Sequence, residues 1–166
     1  MDEHELHLCI ALNKYTSYEV VRGFFAVISR LGNGIFWYSL MLVLPLFYGM
    51  AAIETSIHMA IAGIVGVVIY KLLKNNLVRQ RPCIMHDCIN QGTAMLDYYS
   101  FPSGHTLHAF SFSIIAINAF PQLAFVLIPF TLLVATSRVV LGLHYPTDVL
   151  MGAALGTALA STIVNY

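Results

Sequence analysis

The stretch IFWYSLMLVLPLFYGMAAI, residues 35–53, carries no charged side chain over 19 positions. Trp37 and Tyr38 stand near one end and Tyr48 near the other, as rings do in the headgroup belts of a membrane helix. Working outward, four more apolar runs follow, at 56–73, 108–120, 123–136 and 149–164. Each is somewhat shorter than the ~20 residues that span a bilayer, so flanking residues must extend them or the bilayer must thin locally. Composition agrees. Hydrophobic residues make up 58% and charged residues only 10% of the 166, against about 45–50% and 25% in soluble domains. Eight basic and eight acidic side chains are too few to cover so small a water-soluble domain. The expected fold is therefore an all-α integral membrane helical bundle of five to six transmembrane helices, forming one domain over residues 1–166.

The first 30 residues fit this pattern less well. Leu6 to Leu12 and Phe24 to Ile28 are apolar, but Lys14, Glu19 and Arg22 lie between them. The segment reads either as a sixth, weakly hydrophobic span or as an amphipathic helix lying at the interface. The acidic start, Met1-Asp2-Glu3-His4-Glu5, is not that of a cleavable signal peptide. A net charge of zero and a pI near 7.0 give no reason to expect a nucleic-acid partner.

Short turns are expected at Gly32-Asn33-Gly34, around Glu54 and at Phe120-Pro121-Gln122. One connection is long, about 79–101, and long loops in compact domains are usually functional or disordered. Counting sides by alternation brings three polar clusters to one membrane face. The second run ends there with Lys71, Lys74, Arg79 and Arg81; the third begins there at Pro102-Ser103-Gly104-His105; the fourth ends and the fifth begins there, from Ser137-Arg138 to His144 and Asp148. The opposite face receives almost no charge.

Each cluster has a chemistry. Lys74 and Arg81 are seven residues apart, so they share a face if their helix continues to Pro82, which would stop it. Ser103 is a good N-cap, Gly104 admits a close ligand, and free N–H groups at a helix start bind anions. Asp148, in a first helical turn behind Pro146, can accept a hydrogen bond from His144, which fixes its tautomer and raises the basicity of the other ring nitrogen. Arg138 at the end of an apolar run needs a functional reason. Taken singly, these features read as headgroup snorkelling, a helix cap and a dipole-complementing carboxylate. Together they make a phosphate site: cations for charged oxygens, a carboxylate-held histidine as nucleophile, and a second histidine as acid.

The three clusters resemble the signature of the type 2 phosphatidic acid phosphatase superfamily, K-x6-R-P, P-S-G-H and S-R-x5-H-x3-D. Every position is matched between Lys74 and Asp148, nearly half of the chain. The resemblance implies a metal-independent membrane lipid phosphatase without a cofactor. Its implied catalytic residues are His144 as nucleophile, forming a phosphohistidine, His105 as acid and Asp148 as orienter of His144. Phosphate would be bound by Lys74, Arg81, Arg138, Ser103 and Gly104. The substrate would be a lipid phosphomonoester or diphosphate, of the phosphatidic acid, phosphatidylglycerol phosphate, undecaprenyl diphosphate or lipid A class. A lipid phosphotransferase, a vanadate-dependent oxidoreductase and a non-catalytic lipid-binding protein are the alternatives. The vanadate enzymes of this superfamily are typically soluble and larger, and the apolar runs argue against that reading.

The resemblance further implies a bacterial inner-membrane protein with its site facing the periplasm. Charge placement alone points the active face to the cytoplasm, but most of those charges belong to the site. A fusion at Tyr166 should decide, since that end is expected opposite the site. Other candidates carry less. His58 and His108 read as polar groups of the bundle. Cys83, His86, Asp87 and Cys88 have poor spacing for zinc, and a Cys83–Cys88 disulfide suits an oxidising side better. Gly152 and Gly156 form a G-x3-G pair for close packing, within one chain or in a homodimer.

Overall fold

The computed structural model describes residues 3–95 and 97–165; Met1, Asp2, Leu96 and Tyr166 lie outside the described residues. Among the described residues eight α-helices follow one another: α1 (Glu3–Asn13), α2 (Glu19–Arg30), α3 (Phe36–Tyr48), α4 (Met50–Asn76), α5 (Pro82–Met85), α6 (Gly104–Ala119), α7 (Ala124–Val140) and α8 (Pro146–Val164). Among the described residues four stretches are long and apolar enough to cross a membrane: Glu19–Tyr48, Met50–Asn76, Pro121–Val140 and Pro146–Val164. The outer surface is apolar, as a lipid-facing surface must be. Phe125 is 89% exposed and Leu46 82%, while Trp37, Met59 and Ala109 are fully enclosed.

The third apolar run is α6, sixteen residues long, packed against α4, α7 and α8. Its neighbours come close because their facing residues are small. A Cβ added to Gly152 or Gly156 would lie 2.5 Å from the Ser103 carbonyl oxygen or 2.3 Å from that of Leu107. The G-x3-G pair is thus spent within one chain, on the α6–α8 seam. Buried hydroxyls on α6 are paired, as Ser113 is with Thr131 at 2.6 Å, since an unpaired hydroxyl in an apolar interior is costly.

Three boundaries differ from expectation. The break between α3 and α4 falls at Gly49, φ 67°, not around Glu54, which sits inside α4. A single left-handed glycine reverses the chain, and nothing in the apolar composition around it marks the spot. The turn at Gly32-Asn33-Gly34 is a kink joining α2 to α3, with Gly34 at φ 121°. Gly32 lies against Val134 of α7, where a Cβ would sit 2.8 Å away. Third, α4 ends at Asn76, and Pro82 opens α5 instead of stopping α4. Proline suits the first turn of a helix as well as it suits a stop.

The N-terminal segment stays at one end of the bundle. Asn13 donates to the Val140 carbonyl at 2.9 Å, and Ser29 accepts a hydrogen bond from Arg138. Residues 13 and 29 therefore both meet the last turn of α7. Between them α2 exposes Glu19, Arg22 and Arg30 together with Val20, Phe24 and Val27, and half-buries Val21, Phe25 and Ile28.

Candidate active site

The three clusters do meet, at the end of the bundle shared by the C-termini of α4 and α7 and the N-termini of α6 and α8. Local geometry explains the spacings. At the end of α7 the N–H groups of Leu143 and His144 both donate to the Arg138 carbonyl, at 3.1 and 3.0 Å. This folds the chain back, with Gly142 at φ 72° making the reversal. Five intervening residues thus return His144 to the level of Arg138. Asp148 then caps α8: its Oδ2 accepts the Tyr145 N–H at 2.8 Å. The Asp148 carbonyl accepts from Ser103 N–H at 3.0 Å, which pins the start of α6 to the start of α8.

A cavity of about 780 Å³ opens at this point, lined by Lys74, Arg81, Gly104, His105, Arg138 and His144 among others. It continues between α3 and α4 past Trp37, Tyr38, Met41, Ile64 and Val67, so a charged upper chamber runs into an apolar cleft. Ser103 and Asp148 are fully enclosed and stand behind the lining. Ser103 caps α6, its hydroxyl 2.9 Å from that of Thr106. Lys74 and Arg81 do not share a helix face, since α4 ends between them; they meet through the carboxylate of Asp97 instead.

Arg81 is almost fully buried and organises the site. Its Nη1 donates to the Leu143 carbonyl at 2.6 Å and lies 3.2 Å from His144 Nε2. Arginine can only donate, so Nε2 is the accepting nitrogen and the His144 proton sits on Nδ1. That turns the Nε2 lone pair toward Arg81, which lines the cavity with it. Burial, reinforced by Arg138, Arg81 and Lys74, holds the His144 imidazole well below its ordinary pKa and hence neutral. His144 Nδ1 and Asp148 Oδ2 are 3.6 Å apart, too long for a hydrogen bond. The expected bond is absent because Asp148 is engaged elsewhere, by Tyr145 N–H and by Arg79 Nη1 at 2.6 Å.

Glu5, Ser29 and Asp97 were not expected at the site, and Arg79 was expected on this face but without a role. Arg79 stacks on the Tyr145 ring, 4.1 Å from its centroid, and bridges Asp148 to Glu5 of α1 at 2.7 Å. Burial opposes its charge, but Asp148 and Glu5 outweigh burial and raise its pKa. Glu5 also accepts from the Thr147 N–H at 3.0 Å. Ser29 holds Arg138, whose Nε has no hydrogen-bond partner among the described residues. Asp97 accepts from Lys74 Nζ at 2.6 Å and from Arg81 Nη2. Burial would raise the Asp97 carboxyl, but Lys74 and Arg81 outweigh it and hold it below the usual carboxylate range. The signal for Asp97 was its place as an acid in the long polar loop; Ser29 gave none.

The remaining candidates separate from the chemistry. His108 lines the cavity, with Nε2 3.2 Å from the Gly63 carbonyl and its ring stacked on Phe112. His58 lies near the other end of α4. Cys83 and Cys88 are not bonded to each other. Among the described residues no three His, Cys, Asp or Glu side chains come together as a metal would need.

Residues 51–166 match the family model of the PAP2 superfamily. An undecaprenyl-diphosphatase, BcrC, from Bacillus subtilis is 30% identical over 127 residues, covering 76% of this chain. The chain spans only 63% of that relative's length. The fold is that of the crystal structure of Aquifex aeolicus LpxE, with a TM-score of 0.84 at 24% identity over 97% of this chain and 94% of that one. A Bacillus subtilis PAP2-type phosphatidylglycerolphosphate phosphatase gives 0.75 at 24% identity, over 95% of this chain and 83% of that one. With its family match covering more than half of the sequence, this multi-pass membrane protein belongs to the PAP2 superfamily.

Proposed function

We propose that the chain is a metal-independent lipid phosphatase acting through a phosphohistidine. One observation carries this reading: Lys74, Arg81, Arg138, His105 and His144 line one cavity that continues into an apolar cleft. A phosphorylated headgroup fits the charged chamber and its chain fits the cleft. Lys74, Arg81 and Arg138 hold the phosphate oxygens and neutralise the charge that develops in the transition state. Free N–H groups at the start of α6, Gly104 among them, add to this hold, and Ser103 fixes that start.

His144 Nε2 attacks phosphorus. The N–P bond forms as the bond to the lipid oxygen breaks, and His105 gives that oxygen its proton. In the second half His105 takes a proton from water, the resulting hydroxide attacks phosphorus, and the N–P bond breaks to return neutral His144. Asp148 stabilises the positive ring of the intermediate through Nδ1–H, once the 3.6 Å gap closes. The substrate class is a lipid phosphomonoester or diphosphate, of the phosphatidic acid, phosphatidylglycerol phosphate, undecaprenyl diphosphate or lipid A kind. Residues 1–166 act as one domain, with residues 1–30 an amphipathic or weakly hydrophobic helical part of it. The site faces the periplasm of a bacterial inner membrane.

The test is phosphate release from a panel of lipid mono- and diphosphates by purified protein in detergent with EDTA. Release that survives EDTA and disappears in His144→Ala supports the reading. No release from any of these lipids, or full activity in His144→Ala, overturns it.

A further inference from the structure

Asp97 stands where an incoming phosphate would have to bind. Its two carboxylate oxygens take Lys74 and Arg81, and its backbone carbonyl takes Arg81 Nε at 3.0 Å. Of the five N–H donors of Arg81, two are held by Asp97 and two point at the Leu143 carbonyl and His144 Nε2. A two-pronged grip of Arg81 on phosphate therefore requires Asp97 to let go. Its position permits that: the Asp97 side chain is 39% exposed, while those of Lys74 and Arg81 are 9% and 2% exposed. The carboxylate lies on the outer side of the cations, on the long loop between α5 and α6.

We propose that Asp97 is a specificity-determining residue: it competes for the phosphate-binding cations and so excludes phosphodiester monoanions while yielding to phosphomonoester dianions and diphosphates. This rests on the phosphatase reading of the same site. The reasoning is a charge balance. Exchanging one carboxylate for a diester exchanges one negative charge for one, and loses a tethered, already oriented ligand. Exchanging it for a dianion adds a negative charge beside Lys74, Arg81 and Arg138 in a largely buried chamber, where Coulomb attraction is strong. A site in the headgroup layer of a bilayer is surrounded by phosphodiester headgroups. Without an internal competitor, three buried cations would hold them.

The experiment measures binding apart from turnover. Thermal stabilisation of the purified protein is titrated with inorganic phosphate and with dimethyl phosphate near pH 8, for the unaltered chain, Asp97→Asn and Asp97→Ala. Phosphate release from lipid is measured in parallel. The unaltered chain is expected to favour phosphate strongly. In both variants the ratio of the two dissociation constants should fall at least tenfold, about 1.4 kcal/mol, mainly through tighter dimethyl phosphate binding. A ratio unchanged within twofold overturns the inference. So does equal weakening of both ligands, which would make Asp97 a clamp that holds the cations in place. Loss of folding in both variants also overturns it, since a residue guarding the mouth is dispensable to the bundle. If the unaltered chain releases no phosphate yet shows Asp97-dependent discrimination, the phosphatase reading fails and the inference stands. If it releases phosphate but binds both anions alike, the reverse holds.

Discussion

Gly156→Ala tests whether the α6–α8 seam sets the geometry of the site. The new Cβ would lie 2.3 Å from the Leu107 carbonyl oxygen and 3.1 Å from Phe110 Cβ. The nearest obstacle is backbone and cannot swing aside. Relief to the 3.0 Å that real Cβ contacts respect needs about 0.7 Å of separation between the helices. Carried up the seam, that shift stretches the 3.0 Å Ser103–Asp148 bond to about 3.7 Å and breaks it. Overpacking costs about 1–3 kcal/mol and the lost bond about 1 kcal/mol. Alanine's better helix propensity returns about 1 kcal/mol. The net loss is then about 1–3 kcal/mol, or some 2–12 °C at roughly 2–4 °C per kcal/mol. Because Leu107 is two residues from His105, kcat should fall at least tenfold, as an ångström of misplacement costs about a hundredfold. Thermal unfolding in detergent and lipid phosphate release are the assays. Gly23→Ala is the control: nothing lies within 4 Å of its Cβ, so it should leave stability unchanged or raise it by up to ~1 kcal/mol. If Gly156→Ala behaves like Gly23→Ala in both assays, the seam does not position the site and the reasoning is wrong.

Four further outcomes are expected. Arg79→Met leaves fully buried Asp148 without its charged partner; kcat should drop at least tenfold with KM changed less than threefold, and Arg79→Lys should recover part of the loss. Ser29→Ala frees Arg138, which is almost fully buried, and should weaken inorganic phosphate inhibition about tenfold, near the ~1.5 kcal/mol typical of a hydrogen bond to a charged group; an unchanged inhibition constant would show that Ser29 is dispensable. Because His144 sits well below its ordinary pKa, kcat/KM should show no acid limb at pH 6.5 once the substrate's own ionisation near about pH 6 is allowed for, and a histidine limb there would contradict its burial. Asp97 also titrates below its ordinary value when folded, so its stabilisation is present above the unfolded carboxyl pKa and is lost as pH falls through the lower folded one. Denaturant midpoints of the unaltered chain should therefore approach those of Asp97→Asn in strong acid.

The architecture and the eight motif residues were legible because each rests on short-range rules. Apolar run length marks a span, alternation of spans sets the side, and Ser103 or Pro146 marks a helix start. What stayed hidden depends on contacts distant in sequence. Glu5 meets Thr147 across 142 residues and Arg138 meets Ser29 across 109; neither pairing leaves a local trace. Asp97 binds Lys74 across 23 residues, but it occupies a loop in which no periodicity operates. The end of α4 at Asn76 was missed because Lys74 and Arg81 suggested a common helix face, whereas Arg81 reaches the site from the N-cap of α5.

The same distant pairings order events during synthesis. Helix α1 leaves the ribosome first, yet its partner Thr147 is made 142 residues later, some 7–30 s at about 5–20 residues per second. Throughout that interval Glu5 lacks Thr147 and Arg79 lacks Asp148. Asp97 already faces Lys74 and Arg81 by then, but Arg79 lacks Asp148 until the last helix is laid down. Closure of α1 onto α8 is the step that converts a set of inserted helices into a charge-balanced whole, and a nascent chain halted before Thr147 would hold every basic group of the site with Glu5 and Asp97 as its acids there.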